Sequence, residues 1–217
     1  MKELSSAAED CLLFAYRLSE RGEELSISAL ARGLGLTDST VTAMIQKLAK
    51  QELVNHIPRR EVSLSERGAE LARNLIRRHR LIETYLHNKL GYTWDEVHDE
   101  AERIEHAVSE KFVEAIDREL GFPKFDPHGD PIPDAQGHSA VRKLRKLSEM
   151  HVGEYGKIAR VVGGKPDALL YLTRLGITLG TDVEVTYAPA QDEIVHLSVE
   201  GVQRTLGAAV ASNILVE

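Results

Sequence analysis

The periodicity of apolar residues changes once along this chain, and that change limits the fold more than any other feature. As far as Leu120 the apolar residues recur at helical spacing, whereas after Ser139 they alternate with polar ones. Between the two regimes lies GFPKFDPHGDPIPDAQG, residues 121–137, which holds four of the seven prolines and reads as a loop that something else must pin. The fold class is therefore mostly α with small β parts. At 217 residues the chain is long enough for one large domain or two to three small ones.

The helical part opens with Ala8, Leu12, Leu13 and Tyr16 on one face and breaks at Arg21-Gly22. A second short helix over 27–32 is closed by Gly33 and Gly35. LTDSTVTAMIQKLAKQ follows, with Thr37, Asp38 and Ser39 as capping candidates and Val41, Met44, Ile45 and Leu48 on one apolar face. LVNHIPRREVSLS then gives two β-rich runs around a Pro58-Arg59-Arg60 turn. Helix, turn, helix and hairpin is the order of a winged helix-turn-helix, with a generic small helical domain as the bland alternative. A long helix is expected over 65–90, a helix over 94–109 capped by Thr93, and a further helix to Leu120. After Ser139, GEYGKIARVV, TDVEVTY, EIVHLSV and VQRTL read as short strands, interrupted by a helix over 167–175; strands at this density suggest a small SH3-like β-barrel.

Charge adds a functional clue. The net charge of −7 argues against nucleic acid until its distribution is considered. Residues 26–80 carry ten Arg and Lys against five Asp and Glu, a net +5, while residues 81–120 carry four against eleven, a net −7. A basic module precedes an acidic one. A single cysteine, Cys11, rules out a disulfide framework or a Cys-rich zinc site and fits a reducing cytoplasm. No apolar run approaches the roughly 18 residues of a membrane helix, and the N-terminus lacks the basic start of a signal peptide. No catalytic Ser/His/Asp or Cys/His arrangement, phosphate loop or dinucleotide fingerprint is visible, so an enzyme is not expected.

The densest chemistry lies in HRLIETYLHNKLGYTWDEVHDEAERIEH. Glu102, Glu105 and His106 stand at i, i+3 and i+4 and project from one helical face, with His98 a turn earlier. His79 and Glu83 form an i, i+4 pair on the preceding helix. The two helices together offer six oxygen and nitrogen donors and no sulfur. A solvated charged face is the bland explanation of any one residue. The set is interleaved with apolar Val97, Ala101, Ile104 and Val108, and carboxylates drawn toward a core call for a divalent cation.

RHRLIE, VHDEAERIEH and GFPKFDPHGDPIP together identify a resemblance over the whole chain to the DtxR/MntR family of metal-dependent transcriptional regulators. The resemblance implies a winged helix-turn-helix DNA-binding domain over 1–72, a helical metal-binding and dimerisation domain with the Pro-rich loop over 73–140, and an SH3-like (FeoA-like) domain over 141–217. It implies a primary metal site of Asp10, Glu102, Glu105 and His106. It implies an ancillary site drawing on His79, Glu83 and His98, with Asp126 and His128 from the loop and Asp167 from the SH3-like domain. Iron-responding members place methionine where Asp10 stands and cysteine where Glu102 stands. The carboxylates here make a harder site that suits Mn²⁺, with Fe²⁺ and other divalent transition metals as alternatives. Manganese members with a bridged pair of metals carry a glutamate where Leu13 stands, so two separated sites are expected. Cys11 is read as packing.

The expected partners are double-stranded operator DNA and a second copy of the chain, with no membrane and no organic substrate. Thr37, Ser39, Thr40 and Thr42 are the candidates for base edges or nearby phosphates, and Lys47, Arg59 and Arg60 for phosphates. The function implied is a cytoplasmic repressor of manganese or other metal-uptake genes, activated by metal. The alternatives are an Fe²⁺-responsive regulator of the same fold, a winged-helix regulator sensing an organic ligand or an architectural DNA binder with its acids merely on the surface, and, from another class, a carboxylate-bridged helical metalloenzyme. That chemistry draws Glu and Glu-x-x-His motifs from four helices, and no Glu-x-x-His occurs among these donors.

Overall fold

Short caps and glycines divide the N-terminal third into three helices. In this computed structural model, which describes residues 4–56, 62–188 and 193–217, helix α1 spans Ser6–Glu20, α2 Ile27–Leu34 and α3 Asp38–Lys50. The Ser26 hydroxyl accepts from Ala29 N at 3.2 Å to start α2, which runs through Gly33 and stops at Gly35 in the left-handed region, φ 65°. Gly33 lies inside the helix because its face meets the Phe14 ring: a Cβ there would stand 1.9 Å from the ring. Thr37 is the cap of α3. Strands β1 (Val54–His56) and β2 (Val62–Leu64) pair antiparallel. Leu12, Leu30, Val41, Ile45, Leu48, Val54 and Val62 form the core of this region, with Met44 packed at its margin.

Helix α4, Glu66–Leu90, is the longest element. The chain divides into two units, Met1–Arg78 with Pro133–His138 and His79–Ile132 with Ser139–Glu217, so α4 contributes to both. In the second unit its C-terminal half buries Leu81, Ile82 and Leu86 with Val97, Ala101, Val113, Ile116 and Ile132.

One expectation for the helical part needs correction. The helix anticipated over 94–109 is shorter, α5 at Val97–Ile104. Thr93 still opens the segment, its N–H and hydroxyl donating to Glu96 Oε2 at 2.9 and 2.7 Å, but residues 94–96 form a turn. At the other end Glu105 caps the helix and Ser109 starts the next, α6 (Glu110–Glu119), by accepting from Phe112 N. Trp94 leaves the helical face altogether and is buried in the core of the C-terminal domain.

That domain is a six-stranded antiparallel sheet in the order β3-β8-β4-β5-β6-β7, with β3 at Arg145–Lys146, β4 at Tyr155–Val161, β5 at Asp182–Tyr187, β6 at Ile194–Val199, β7 at Val202–Gly207 and β8 at Ile214–Val216. Helix α7 (Pro166–Arg174) lies between β4 and β5, and a single turn, α8 (Ala208–Ala211), precedes β8. The terminal ILV segment inserts between β3 and β4, a long-range pairing that local alternation does not reveal. The register of β4 against β8 shifts between Ile158 and Arg160, a bulge that leaves Ala159 without a register partner on β8.

Candidate metal centre

Five of the anticipated donors converge within the second unit. His79 and Glu83, one turn apart on α4, are buried, at 1% and 2% exposure. His79 Nε2 lies 2.9 Å from Glu83 Oε1 and 3.1 Å from His98 Nδ1, and His98 Nδ1 lies 3.0 Å from the same Glu83 oxygen. Donors about 2.1 Å from a cation in octahedral array are separated by roughly 3 Å, so this spacing fits one divalent ion. The other ring nitrogen of His79, Nδ1, is 2.8 Å from Oε2 of the buried Glu105. An ionised carboxylate only accepts, so each of these nitrogen–oxygen approaches must be bridged by a proton or a cation.

The proline loop supplies the opposite wall. Asp126 and His128 are both buried and form a second donor group with Glu83. Asp126 Oδ1 accepts from His128 N (2.8 Å) and Asp130 N (2.9 Å), which folds the loop tightly about its own acid. His128 Nε2 is 2.6 Å from the Trp94 carbonyl. A carbonyl only accepts, so Nε2 carries a hydrogen, and Nδ1 is turned toward Glu83 Oε2 at 3.9 Å. Glu83 thus turns one oxygen to the His79–His98 pair and the other to the loop.

Electrostatics follow from these contacts. Burial works against the ionised form of Glu83, but the charge and hydrogen bond of His79, helped by His98 and His128, hold the carboxyl well below its ordinary range. Asp126 goes the other way. Burial, then the charges of Asp130 and Glu83, push it up to about 7 against the pull of His128 and Arg80. A buried carboxyl so close to neutral, beside one firmly ionised, is a place that a cation would stabilise.

Arg80 and Trp94 escaped the sequence reading. Arg80 is buried, donates from Nη1 to the Pro131 carbonyl at 2.7 Å, and has Nε 3.7 Å from Asp126 Oδ2; as a sequence feature it counts only as one more base beside His79. The Trp94 indole Nε1 donates to Thr173 Oγ1 of α7 at 2.8 Å, tying the backbone that orients His128 to the C-terminal domain.

The remaining anticipated residues are placed as follows. Glu102 is exposed on α5, its Oε1 3.3 Å from His98 Nε2. His106, just past the end of α5, is half-buried with Nε2 3.8 Å from Glu105 Oε1. Asp10 is half-buried on α1 of the first unit. Asp167 is exposed in the first turn of α7 and belongs to none of the donor groups formed among the described residues. At the start of α3, the Thr37 hydroxyl lies 2.9 Å from those of both Ser39 and Thr40 and accepts from Thr40 N. These hydroxyls are exposed at a helix N-terminus, as is Lys47 along the same helix, a placement suited to phosphate. Thr42 Oγ1 instead donates back to Asp38 O at 2.7 Å. Arg59 and Arg60 lie outside the described residues. Among the described residues no helix is long and apolar enough to cross a membrane.

Comparison with known proteins places the chain among repressors. Three family models match consecutive stretches: the iron dependent repressor N-terminal DNA binding domain over residues 3–62, the iron dependent repressor metal binding and dimerisation domain over 65–134, and the FeoA domain over 145–217. A solved manganese-dependent transcriptional repressor in complex with manganese is 38% identical, with a TM-score of 0.87 over 97% of this chain and 99% of that one. The manganese-activated repressor ScaR in its apo form is 35% identical, with a TM-score of 0.81 over 96% and 99%. The iron-dependent repressor IdeR of Mycobacterium tuberculosis is 34% identical over 133 residues, 61% of this chain; the match spans only 58% of that relative's length.

Proposed function

Because this chain belongs to the iron-dependent repressor family of metal-dependent transcriptional repressors, we propose that it is a cytoplasmic, homodimeric, manganese-activated repressor of metal-uptake genes. The observation that carries the choice of metal is the donor chemistry: the Glu83-centred cluster is built from carboxylate and imidazole alone, the hard set that suits Mn²⁺. The relatives named above are repressors, not enzymes, and the helical metalloenzyme reading gives way to this one. Fe²⁺ is the second candidate activator, favoured by the iron-dependent relatives, since affinity order alone does not select manganese.

Asp10, Glu102, Glu105 and His106 would hold the primary ion; His79, Glu83, His98, Asp126 and His128, with Asp167 as an outer candidate, would hold the ancillary one. When bound, the ion supplies positive charge that offsets the carboxylates and fixes the directions of its ligands. Asp10 comes from the DNA-binding domain, residues 1–72, and its three partners from the metal-binding and dimerisation domain, residues 73–140. Ligation of all four therefore restrains one domain against the other, with the SH3-like domain, residues 141–217, supporting the ancillary set. In a dimer, that restraint would hold two α3 helices at the separation of successive major grooves, about 34–36 Å or a multiple. Thr37, Ser39, Thr40, Thr42, Lys47, Arg59 and Arg60 are the proposed DNA contacts.

The test is an anisotropy titration of the protein on its own upstream DNA, first with chelator and then with Mn²⁺, Fe²⁺ (anaerobically) or Zn²⁺. Mn²⁺ should restore tight binding to the wild type and not to Glu102→Ala. Equal binding by the chelated protein would sink the metal switch, and a stronger response to Fe²⁺ would hand the site to iron.

A further inference from the structure

Ligands carried on a loop are only as well placed as the loop. Residues 121–137 contain no helix and no strand beyond the single Phe125–Pro131 bridge, yet they bury Asp126 and His128. Arg142, in the extended segment before β3, spans the gap that needs closing. Its Nη2 donates both to the Gly129 carbonyl of the loop, at 2.9 Å, and to the Ala159 carbonyl at the β4 bulge, at 3.0 Å. Its guanidinium carbon lies 3.7 Å from the centre of the Phe125 ring, further back along the same loop. One side chain thus serves a carbonyl of the loop and a carbonyl at the β4 bulge.

The loop backbone is seated directly on β4. Gly129 has φ +83°, and a Cβ there would stand 2.1 Å from Ala159 O. Alongside, Val161 N donates to His128 O at 2.9 Å, and Arg160 of β4 pairs with Asp130. With its nitrogen held by Asp126 and its Nε2 by Trp94 O, His128 is left one free direction, Nδ1 toward Glu83.

We propose that Arg142 is a positioning residue for the metal ligand His128, clamping the proline loop to the β4 bulge so that Nδ1 faces the ancillary ion. The proposal rests on the ancillary-site reading above and adds to it the means by which the SH3-like domain acts on that site without lending it a ligand. A lysine keeps the charge but not the flat, forked donor that serves two carbonyls and lies over a ring.

Mn²⁺ titration followed by electron paramagnetic resonance would test it, with Glu83→Gln identifying the ancillary class of site. Arg142→Ala and Arg142→Lys should both weaken that class about 10- to 100-fold, the range for residues that orient a ligand, and leave the other class unchanged. In the absence of metal, the ¹⁵N shifts of His128 should pass from a single Nε2–H tautomer to a mixture in both variants. A general loss of stability would not produce that signature, and thermal melts would expose one. Gly129→Ala, which lifts the loop from β4 and so draws the Gly129 carbonyl away from Arg142, should reproduce both effects. Unchanged affinity and an unchanged His128 tautomer in Arg142→Ala would overturn the clamp and leave the ancillary site standing. A wild type with a single class of site would overturn both.

Discussion

The two donor sets of this protein are held in different ways. Around Glu83, the donors His79, Glu83, Asp126 and His128 are buried and fixed by hydrogen bonds from α4, the turn at Trp94 and β4. The proposed primary set is held unevenly by comparison: Glu105 is buried and 2.8 Å from His79 Nδ1, whereas the Glu102 side chain is 54% exposed and Asp10 and His106 are half-buried. A pre-arranged site gains affinity because little has to be ordered on binding. A site whose ligands are still partly solvated spends binding energy on ordering them, and only such energy can bias a conformation. If the two sets bind metal as proposed, the Glu83 set would be the anchor and the Asp10 set the switch.

The sharpest way to break that division is Asp10→Ala. Allosteric couplings of 1–3 kcal/mol per site correspond to about 5- to 150-fold, so the Mn²⁺-induced gain in operator affinity should fall by roughly 100-fold in anisotropy titrations. The Mn²⁺ class assigned to Glu83 should keep its affinity. Loss of that class along with operator binding would mean that the two sets behave as one. Glu83→Ala is the reciprocal case. Mn²⁺ affinity at the anchor should fall at least tenfold, and chemical denaturation should show a loss of about 1–3 kcal/mol, because buried His79 loses a partner. Operator binding at saturating Mn²⁺ should suffer less than in Asp10→Ala; the opposite order would exchange the two roles.

The anchor and the switch were unequally legible in the sequence. His79 and Glu83 stand at i, i+4 on one helix, whose face converts that spacing into proximity, while His98, on the next helix, was joined to them by the family resemblance. The loop donors Asp126 and His128 came from the family resemblance, because no local pattern says where a proline-rich loop folds back. What holds them was not legible at all. Arg142 lies in an unpatterned segment, its partners are backbone carbonyls that carry no sequence signal, and the Ala159 bulge exists only after β8 has paired with β4. Trp94 misled in an instructive way. The capping threonine before it suggested a helix beginning at Trp94, but its ring is buried among C-terminal core residues such as Leu169, Leu172 and Ile177, and the helix starts three residues later. Tertiary burial outweighed local propensity there.

A smaller effect is expected at that tryptophan. Trp94→Phe keeps most of the apolar burial and the carbonyl that orients His128, and removes the Nε1–H donated to Thr173. The cost should be about 1 kcal/mol in denaturant unfolding, the usual net worth of one such bond, with Mn²⁺ affinity at the anchor nearly unchanged. A large fall in that affinity would show that the side chain, and not the main chain, sets the orientation of His128, and the anchor would be less rigid than its geometry suggests.

The smallest effect concerns the sulfur beside the switch. Cys11 follows Asp10 on α1 but is fully buried, and burial, followed by the charge of Asp10, pushes its thiol up to about 11 from an ordinary value of 9.0. The thiolate, the form that reacts or ligates, is thereby made about a hundredfold scarcer near neutral pH. Iodoacetamide should therefore label Cys11 at pH 8 at least about a hundredfold more slowly in the folded protein than in urea, because burial also shields the sulfur from the reagent, as followed by mass spectrometry. Addition of Mn²⁺ should leave the folded rate where it was. Zn²⁺ is the stricter probe, because it accepts thiolate readily. If Zn²⁺ protects Cys11 and Mn²⁺ does not, sulfur has joined the donor set for the softer metal, and the switch would discriminate between metals by which ligand it recruits. If neither protects it, the hardness of the set rests on Asp10 and its three partners alone, as the oxygen and nitrogen donors require.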